Sequence, residues 1–197
     1  MRRILVLGGT SFIGRNFCES MLGKSNAQLT LFNRGLTNPD IFPNLPRIVC
    51  DRNSQSECQS KLSETTWDAI VDFTGQEDQQ IRNILSYCRC EHYTYISSSA
   101  VDRSWPSDPI FSMAQNKLWC EHLLKKYVKR LLIVRPGFVC GRYDYTHRFE
   151  ELEGKWFWKG TRNLVNPMVR VEFLSNLLAL LVREGRTGVV RAGYFQE

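Results

Sequence analysis

The chain has 197 residues, 43% of them hydrophobic and 23% charged, which is enough for one substantial core. No apolar run approaches the roughly 18 to 20 residues of a membrane-spanning helix. The start, Met1-Arg2-Arg3 into Ile4-Leu5-Val6-Leu7 and Gly8-Gly9, has no small-residue cleavage site, so a cytoplasmic protein is expected. The net charge of +6 falls wholly in residues 99–197. That asymmetry suits an anionic partner, whether a phosphate-bearing small molecule, a nucleic acid or an acidic protein surface, and equally suits a solvated basic face. The seven cysteines are odd in number and lie mostly inside apolar segments, with Cys88 and Cys90 as one close pair lacking further ligands nearby. They read as reduced core thiols rather than as a zinc site or a disulfide framework.

Short runs rich in Ile, Val and Leu alternate along the chain with stretches of helical period. In order they predict strands over 4–7, 29–32, 47–50, 69–73, 93–96 and 131–134, with a weak one over 189–191. Helices are predicted over 12–22, 79–88, 114–127 and 171–183. Several strand runs are apolar at consecutive positions, as in strands covered on both faces. Because crossovers between parallel strands are right-handed, the economical architecture is α/β, a doubly wound parallel sheet of Rossmann type. No repeat, low-complexity tract or linker divides residues 1–197, so a single domain is expected. The least regular segment, 143–169, holds Tyr143, Tyr145, Trp156, Phe157 and Trp158 and follows the carboxyl end of the sixth strand. It reads as a reduced substrate lobe or as a packed surface loop.

The first strand ends in Gly8-Gly9-Thr10-Ser11-Phe12-Ile13-Gly14, directly before an amphipathic helix carrying Phe17, Cys18, Met21 and Leu22. Gly8 permits a tight turn out of the strand and Gly14 a close approach of the helix. The helix N-terminus then offers unpaired N–H groups and a positive dipole end to a pyrophosphate. A glycine pattern alone is also compatible with a bare turn, and the placement between strand and helix is what points to a dinucleotide. In this architecture the ribose contact lies about 20 residues further on, at the end of the second strand. That place is held by Asn33-Arg34-Gly35. An acid there would repel a 2′-phosphate and an Arg attracts it, so NADP(H) is expected over NAD(H), the alternative being a solvated turn arginine.

Gly-Gly-Thr-Ser-Phe-Ile-Gly-Arg, Leu-Phe-Asn-Arg-Gly-Leu-Thr-Asn-Pro, Cys-Asp-Arg, Trp-Asp-Ala-Ile-Val-Asp and Ile-Ser-Ser-Ser-Ala-Val occur in one order and spacing. Together they resemble the NAD-dependent epimerase/dehydratase family, the extended and atypical branch of the short-chain dehydrogenase/reductases, over residues 1 to about 144 and again around 165–182. The resemblance implies that Gly8, Gly9, Thr10, Ser11, Phe12, Ile13 and Gly14 hold the pyrophosphate, Asn33 and Arg34 the adenosine ribose, and Asp51 with Arg52 the adenine edge. It implies that Phe73, Thr74 and Gly75 lie against the cofactor's ribose, and that Pro136 and Gly137 border the nicotinamide. Ser11 stands where the family has its middle glycine.

Family chemistry uses a Ser or Thr, a Tyr as general acid or base, and a Lys that binds the nicotinamide ribose and depresses the Tyr pKa. The serine corresponds to Ser98 and the lysine to Lys117. Four residues before Lys117, where the YxxxK tyrosine belongs, the chain has Met113, whose thioether carries no titratable proton. Residues 171–177 likewise lack the later acids of the family's His/Asp segment, and 197 residues leave little room for the usual substrate lobe. Tyr143, Tyr145 and Asp102 are the substitute proton donors to weigh, each more easily read as structural. His92, His122 and His147 show no metal-ligand spacing, and no metal is expected.

Three functions compete. The first is an NADP(H)-dependent epimerase, dehydratase or reductase acting on a polar, anionic, nucleotide-sugar-like substrate. The second is a dinucleotide-binding sensor or scaffold disarmed at position 113. The third, suggested by Trp156 and Trp158 between Lys155 and Lys159, is a nucleic-acid-binding relative, the weakest of the three. The resemblance also implies a homodimer paired through the helix over 114–127.

Overall fold

The computed structural model describes residues 1–22, 26–63, 65–102, 111–147, 149–152, 155–158 and 168–193. Its framework is a seven-stranded sheet built from β1 (Arg2–Leu7), β2 (Ala27–Asn33), β3 (Arg47–Val49), β4 (Thr65–Asp72), β5 (Cys88–Ile96), β6 (Leu131–Pro136) and the last strand, Gly188–Ala192. Every pairing is parallel, and the strands lie in the order β3, β2, β1, β4, β5, β6, last strand. The strand order reverses between β1 and β4, and in open α/β sheets ligands bind at the carboxyl ends beside such a reversal.

The apolar runs alternate between two buried faces. In β1, Ile4 and Val6 join one core while Leu5 and Leu7 join the other; in β6, Leu132 and Val134 oppose Leu131 and Ile133. Helices α1 (Phe12–Leu22) and, near the C-terminus, Val171–Glu184 cover the first face through Phe17, Met21, Leu174 and Leu178. Helices α2 (Gln55–Leu62), α3 (Asp78–Tyr87) and α4 (Phe111–Tyr127) cover the second through Cys58, Ile81, Ile84 and Leu124. This is the doubly wound Rossmann arrangement expected from the sequence. Six of the seven cysteines are buried, as core thiols should be.

The helix the sequence reading missed is α2, polar except for Cys58 and Leu62, which lie four residues apart and are its buried positions. Its signal was local rather than periodic. Ser54 Oγ accepts a hydrogen bond from Glu57 N at 3.3 Å, the Ser-x-x-Glu start signature. After β6 come the short β7 (Phe138–Cys140), an antiparallel hairpin of β8 (Phe149–Leu152) and β9 (Lys155–Trp158), and β10 (Met168–Arg170), which pairs with β7. The Val171–Glu184 helix is α5, ended by Gly185 at φ +64, and the Gly188–Ala192 strand is β11. The hairpin falls in 143–169, a segment that lies partly outside the described residues. Among the described residues no helix is long and apolar enough to cross a membrane.

Candidate functional site

The turn between β1 and α1 is shaped by steric limits that only glycine meets. Gly8 has φ +89, and a Cβ there would lie 2.2 Å from Thr74 Cγ2; a Cβ on Gly14 would lie 2.0 Å from the Gly8 carbonyl oxygen. Phe12 opens the helix at φ +35, a strained backbone for a residue with a side chain, and its ring is held in the core edge-on to Tyr145 at 6.4 Å. Gly9, Ile13 and Gly14 pack beneath the turn against strand and helix, so they shape the site from below. Gly8, Thr10 and Ser11 line a cleft of about 300 Å³ above it. Asn38 Nδ2 donates to the Thr10 carbonyl at 2.9 Å and steadies that wall.

The cleft gathers residues from far along the chain: Asn33 and Arg34 from the end of β2, Asp51 and Arg52 from the end of β3, and Thr74 after β4. Asn33 Oδ1 accepts from Gly35 N at 2.9 Å, whereas among the described residues its buried Nδ2 has no hydrogen-bond partner, and neither has Arg52 Nε. Arg34 is exposed and makes no ion pair among the described residues. Phe73 does not line the cleft; its ring packs against Phe17 at 5.4 Å.

Arg52 also makes a buried ion pair that the sequence did not reveal. Its guanidinium grips the fully buried Asp72 with two hydrogen bonds of 2.8 and 2.9 Å and reaches Thr74 Oγ1 at 2.9 Å. Asp72 also accepts from Tyr93 Oη and from the backbone N–H groups of Thr74 and Gly75. Burial opposes ionisation of Asp72, but the Arg52 charge and these donors outweigh it and hold the carboxyl below its ordinary range. The next link is Gly75, whose carbonyl accepts from Tyr95 Oη at 2.9 Å and from Lys117 Nζ at 2.7 Å. A chain of contacts thus runs from the cleft floor to α4.

Lys117 is 6% exposed, and its ammonium group also donates to the Ile96 carbonyl at 2.9 Å and sits 4.9 Å from the Tyr95 ring centroid. Burial pushes its pKa down to about 8, against the pull of Asp72 in the opposite direction. Met113 lies one turn earlier on α4 and is 38% exposed. Ser98 is half-buried and its Oγ accepts from Ala100 N at 3.2 Å, capping the 3-10 turn Ser99–Asp102. Pro136 ends β6, and Gly137 N donates to the Ala192 carbonyl at 2.8 Å. None of Ser98, Lys117, Pro136 and Gly137 lines the cleft.

Two of the three candidate replacement donors, Asp102 and Tyr143, are engaged elsewhere. Asp102 binds Arg191 and Arg135, and hydrogen bonding to Arg191, with both guanidinium charges, holds its carboxyl below the ordinary range, so it is a carboxylate at neutral pH. Tyr143, at φ +66, lies 3.5 Å below the Arg15 guanidinium and accepts a hydrogen bond from Arg142. Tyr145 is 70% exposed. His92 is buried and bridges through Nε2 to the Arg186 carbonyl at 2.6 Å, a packing role. Trp156 and Trp158 fall on β9, whose side chains are not described; Lys159 lies outside the described residues.

No protein-family model matches the sequence, and no curated protein does. Solved structures match over nearly its whole length. A wide-type short-chain dehydrogenase/reductase of Veillonella parvula, solved with NADP, has 14% identity over 98% of this chain and 94% of its own, with a TM-score of 0.69. The UDP-glucose 4-epimerase of Thermus thermophilus, solved with NAD, has 16% identity over 98% of this chain and 78% of its own, with a TM-score of 0.73. The dTDP-glucose 4,6-dehydratase of Bacillus anthracis, also solved with NAD, has 19% identity over 98% and 76%, with a TM-score of 0.69. The chain has the Rossmann fold of these short-chain dehydrogenase/reductase and epimerase/dehydratase structures.

Proposed function

We propose that the chain binds NADP(H) in the cleft over β1 and β2 and is a cytoplasmic protein of reductase, epimerase or dehydratase type for a polar, anionic substrate such as a nucleotide sugar. The observation that carries this reading is the meeting in one cleft of the Gly8 turn with the Asn33 amide nitrogen and the Arg34 cation, neither of which has a partner among the described residues. A ligand rich in oxygen acceptors fits those donors. The volume is at the lower end of ligand pockets, roughly 300 to 1,000 Å³, and suits the adenosine half.

In this reading Thr10, Ser11 and the first N–H groups of α1 hold the pyrophosphate, Asn33 the ribose, and Arg34 the 2′-phosphate. Asp51 and Arg52 flank the adenine; Phe73, Thr74, Gly75, Pro136 and Gly137 border the other half. A bound nicotinamide supplies the hydride chemistry, and the protein supplies orientation and electrostatics. Ser98 polarises the substrate hydroxyl or carbonyl, Lys117 holds the second ribose, and residues 143–169 form a small substrate lobe. The protein pairs as a homodimer through α4.

A second reading, a redox-silent sensor or scaffold with the same cofactor, is favoured by a specific observation. Position 113 has no proton to give, and Lys117 is held by its own backbone through Gly75 and Ile96. Both readings predict that nicotinamide fluorescence titrations find NADPH bound more tightly than NADH. Binding of neither overturns both. Turnover lost in Ser98→Ala and Lys117→Ala supports the enzyme; turnover with a simple carbonyl compound gained only in Met113→Tyr supports the silent protein.

A further inference from the structure

The end of β3 and the helix α2 bring two thiols into contact beside the cleft. Cys50, the residue after β3, lines the cleft, and its sulfur lies 3.7 Å from that of Cys58 on α2. The two residues are 1% and 0% exposed. Between them run Asp51 and Asn53, also on the cleft, Arg52 with its grip on Asp72, and Ser54, the cap of α2. Cys58 Sγ further donates to the Asp51 carbonyl at 3.8 Å.

We propose that Cys50 and Cys58 are an oxidative modification site, closing to an intramolecular disulfide with hydrogen peroxide and reshaping the cleft floor at residues 51–53. Bonding requires the sulfurs to move from 3.7 Å to about 2.05 Å. The element placed to yield is α2, whose buried residues are Cys58 and Leu62, because β3 is fixed to β2 by parallel pairing and by Cys50 N donating to the Asn33 carbonyl at 3.0 Å. The drawn-in segment carries Asp51 and Arg52 with it.

The reaction balances with peroxide alone. One thiolate attacks a peroxide oxygen, becomes a sulfenic acid and releases hydroxide; the second thiol sulfur attacks the sulfenic sulfur and displaces water. Two thiols and one peroxide give one disulfide and two waters. Burial pushes the Cys50 thiol up to about 12. Burial also raises Cys58, although the neighbouring Cys50 S–H and the Arg52 charge offset part of that rise. Thiolate is therefore scarce at neutral pH, and closure is slow and accelerates as pH rises. Cys50 gives a small oxidant its approach from the cleft, and a cleft ligand covers that approach.

The effect on cofactor affinity rests on the dinucleotide reading, whereas the disulfide itself does not. The test treats the full-length protein with hydrogen peroxide, maps linked peptides by mass spectrometry, and titrates NADPH before and after, with dithiothreitol reversal. The expected result is a linkage between Cys50 and Cys58, absent from both Cys50→Ser and Cys58→Ala, slowed by NADPH and accompanied by about tenfold weaker NADPH binding that dithiothreitol restores. Oxidation that maps to other cysteines with no linkage of 50 to 58 overturns the proposal. A linkage that leaves NADPH affinity unchanged overturns the reshaping of the cleft. Absence of NADPH binding before oxidation overturns the dinucleotide reading instead; the peptide map then decides the thiol pair, and hydrogen exchange at residues 51–53 decides the reshaping.

Discussion

Over β1 and β2 the carboxyl edge of the sheet is an open cleft, where Asn33 Nδ2 and Arg52 Nε have no hydrogen-bond partner and Arg34 has no ion pair among the described residues. Over β4, β5 and β6 the described polar groups of the same edge are bonded to one another. Lys117 donates to two backbone carbonyls, Glu121 accepts from Ser97 and Arg135, and Asp102 joins Arg135 to Arg191. One half of the edge keeps hydrogen-bonding capacity for a ligand, and the other uses it to hold strands and helix together. A shared fold therefore does not assign the same chemistry to both halves.

The sharpest break of that contrast removes the residue common to both halves. Arg52→Met leaves the Asp72 carboxylate buried without its cation, and urea denaturation should show a loss of about 3–5 kcal/mol. Next is Lys117. Its folded pKa of about 8 lies below its ordinary 10.5, so the unfolded chain binds more protons between those values and wild-type stability relative to Lys117→Met rises with pH across that window. The rise should reach up to about 3 kcal/mol in paired urea titrations, and a difference that stays flat from pH 8 to 10.5 would show that the ammonium is not desolvated.

The glycine turn gives a smaller effect confined to the open half. Gly14→Ala sets a methyl against the Gly8 carbonyl, should cost about 1–3 kcal/mol, and should weaken NADPH binding by displacing α1. The smallest expected effect is the most specific. Arg34→Ala should leave the melting temperature nearly unchanged and weaken NADPH about tenfold, roughly 1.4 kcal/mol, with NADH unaffected. Equal loss for both nucleotides would mean that Arg34 does not meet a 2′-phosphate.

Legibility differed in the same way along the edge. Gly8, Gly14, Asn33 and Arg34 were readable because each is fixed by local requirements: a turn, a close helix approach, and a strand-end residue at a set distance. The Asp72–Arg52 clamp was not, since its partners are 20 residues apart and nothing in either's local pattern marks a buried pair. The same holds for Lys117, where the family resemblance pointed to the residue and to Met113 four positions before it but not to the two carbonyls that hold it. Cys50 and Cys58 read only as reduced core thiols, and it is the packing of α2 against the end of β3 that brings their sulfurs together.

By itself the sequence determined the alternation of strands and helices, the burial of both sheet faces and the site of the glycine turn, because these follow from periodicity and steric limits within a few residues. Only the tertiary structure decided which polar groups remain open. Hydrogen-bond partners of buried side chains come from distant strands, and burial sets both their charge and their freedom to meet a ligand.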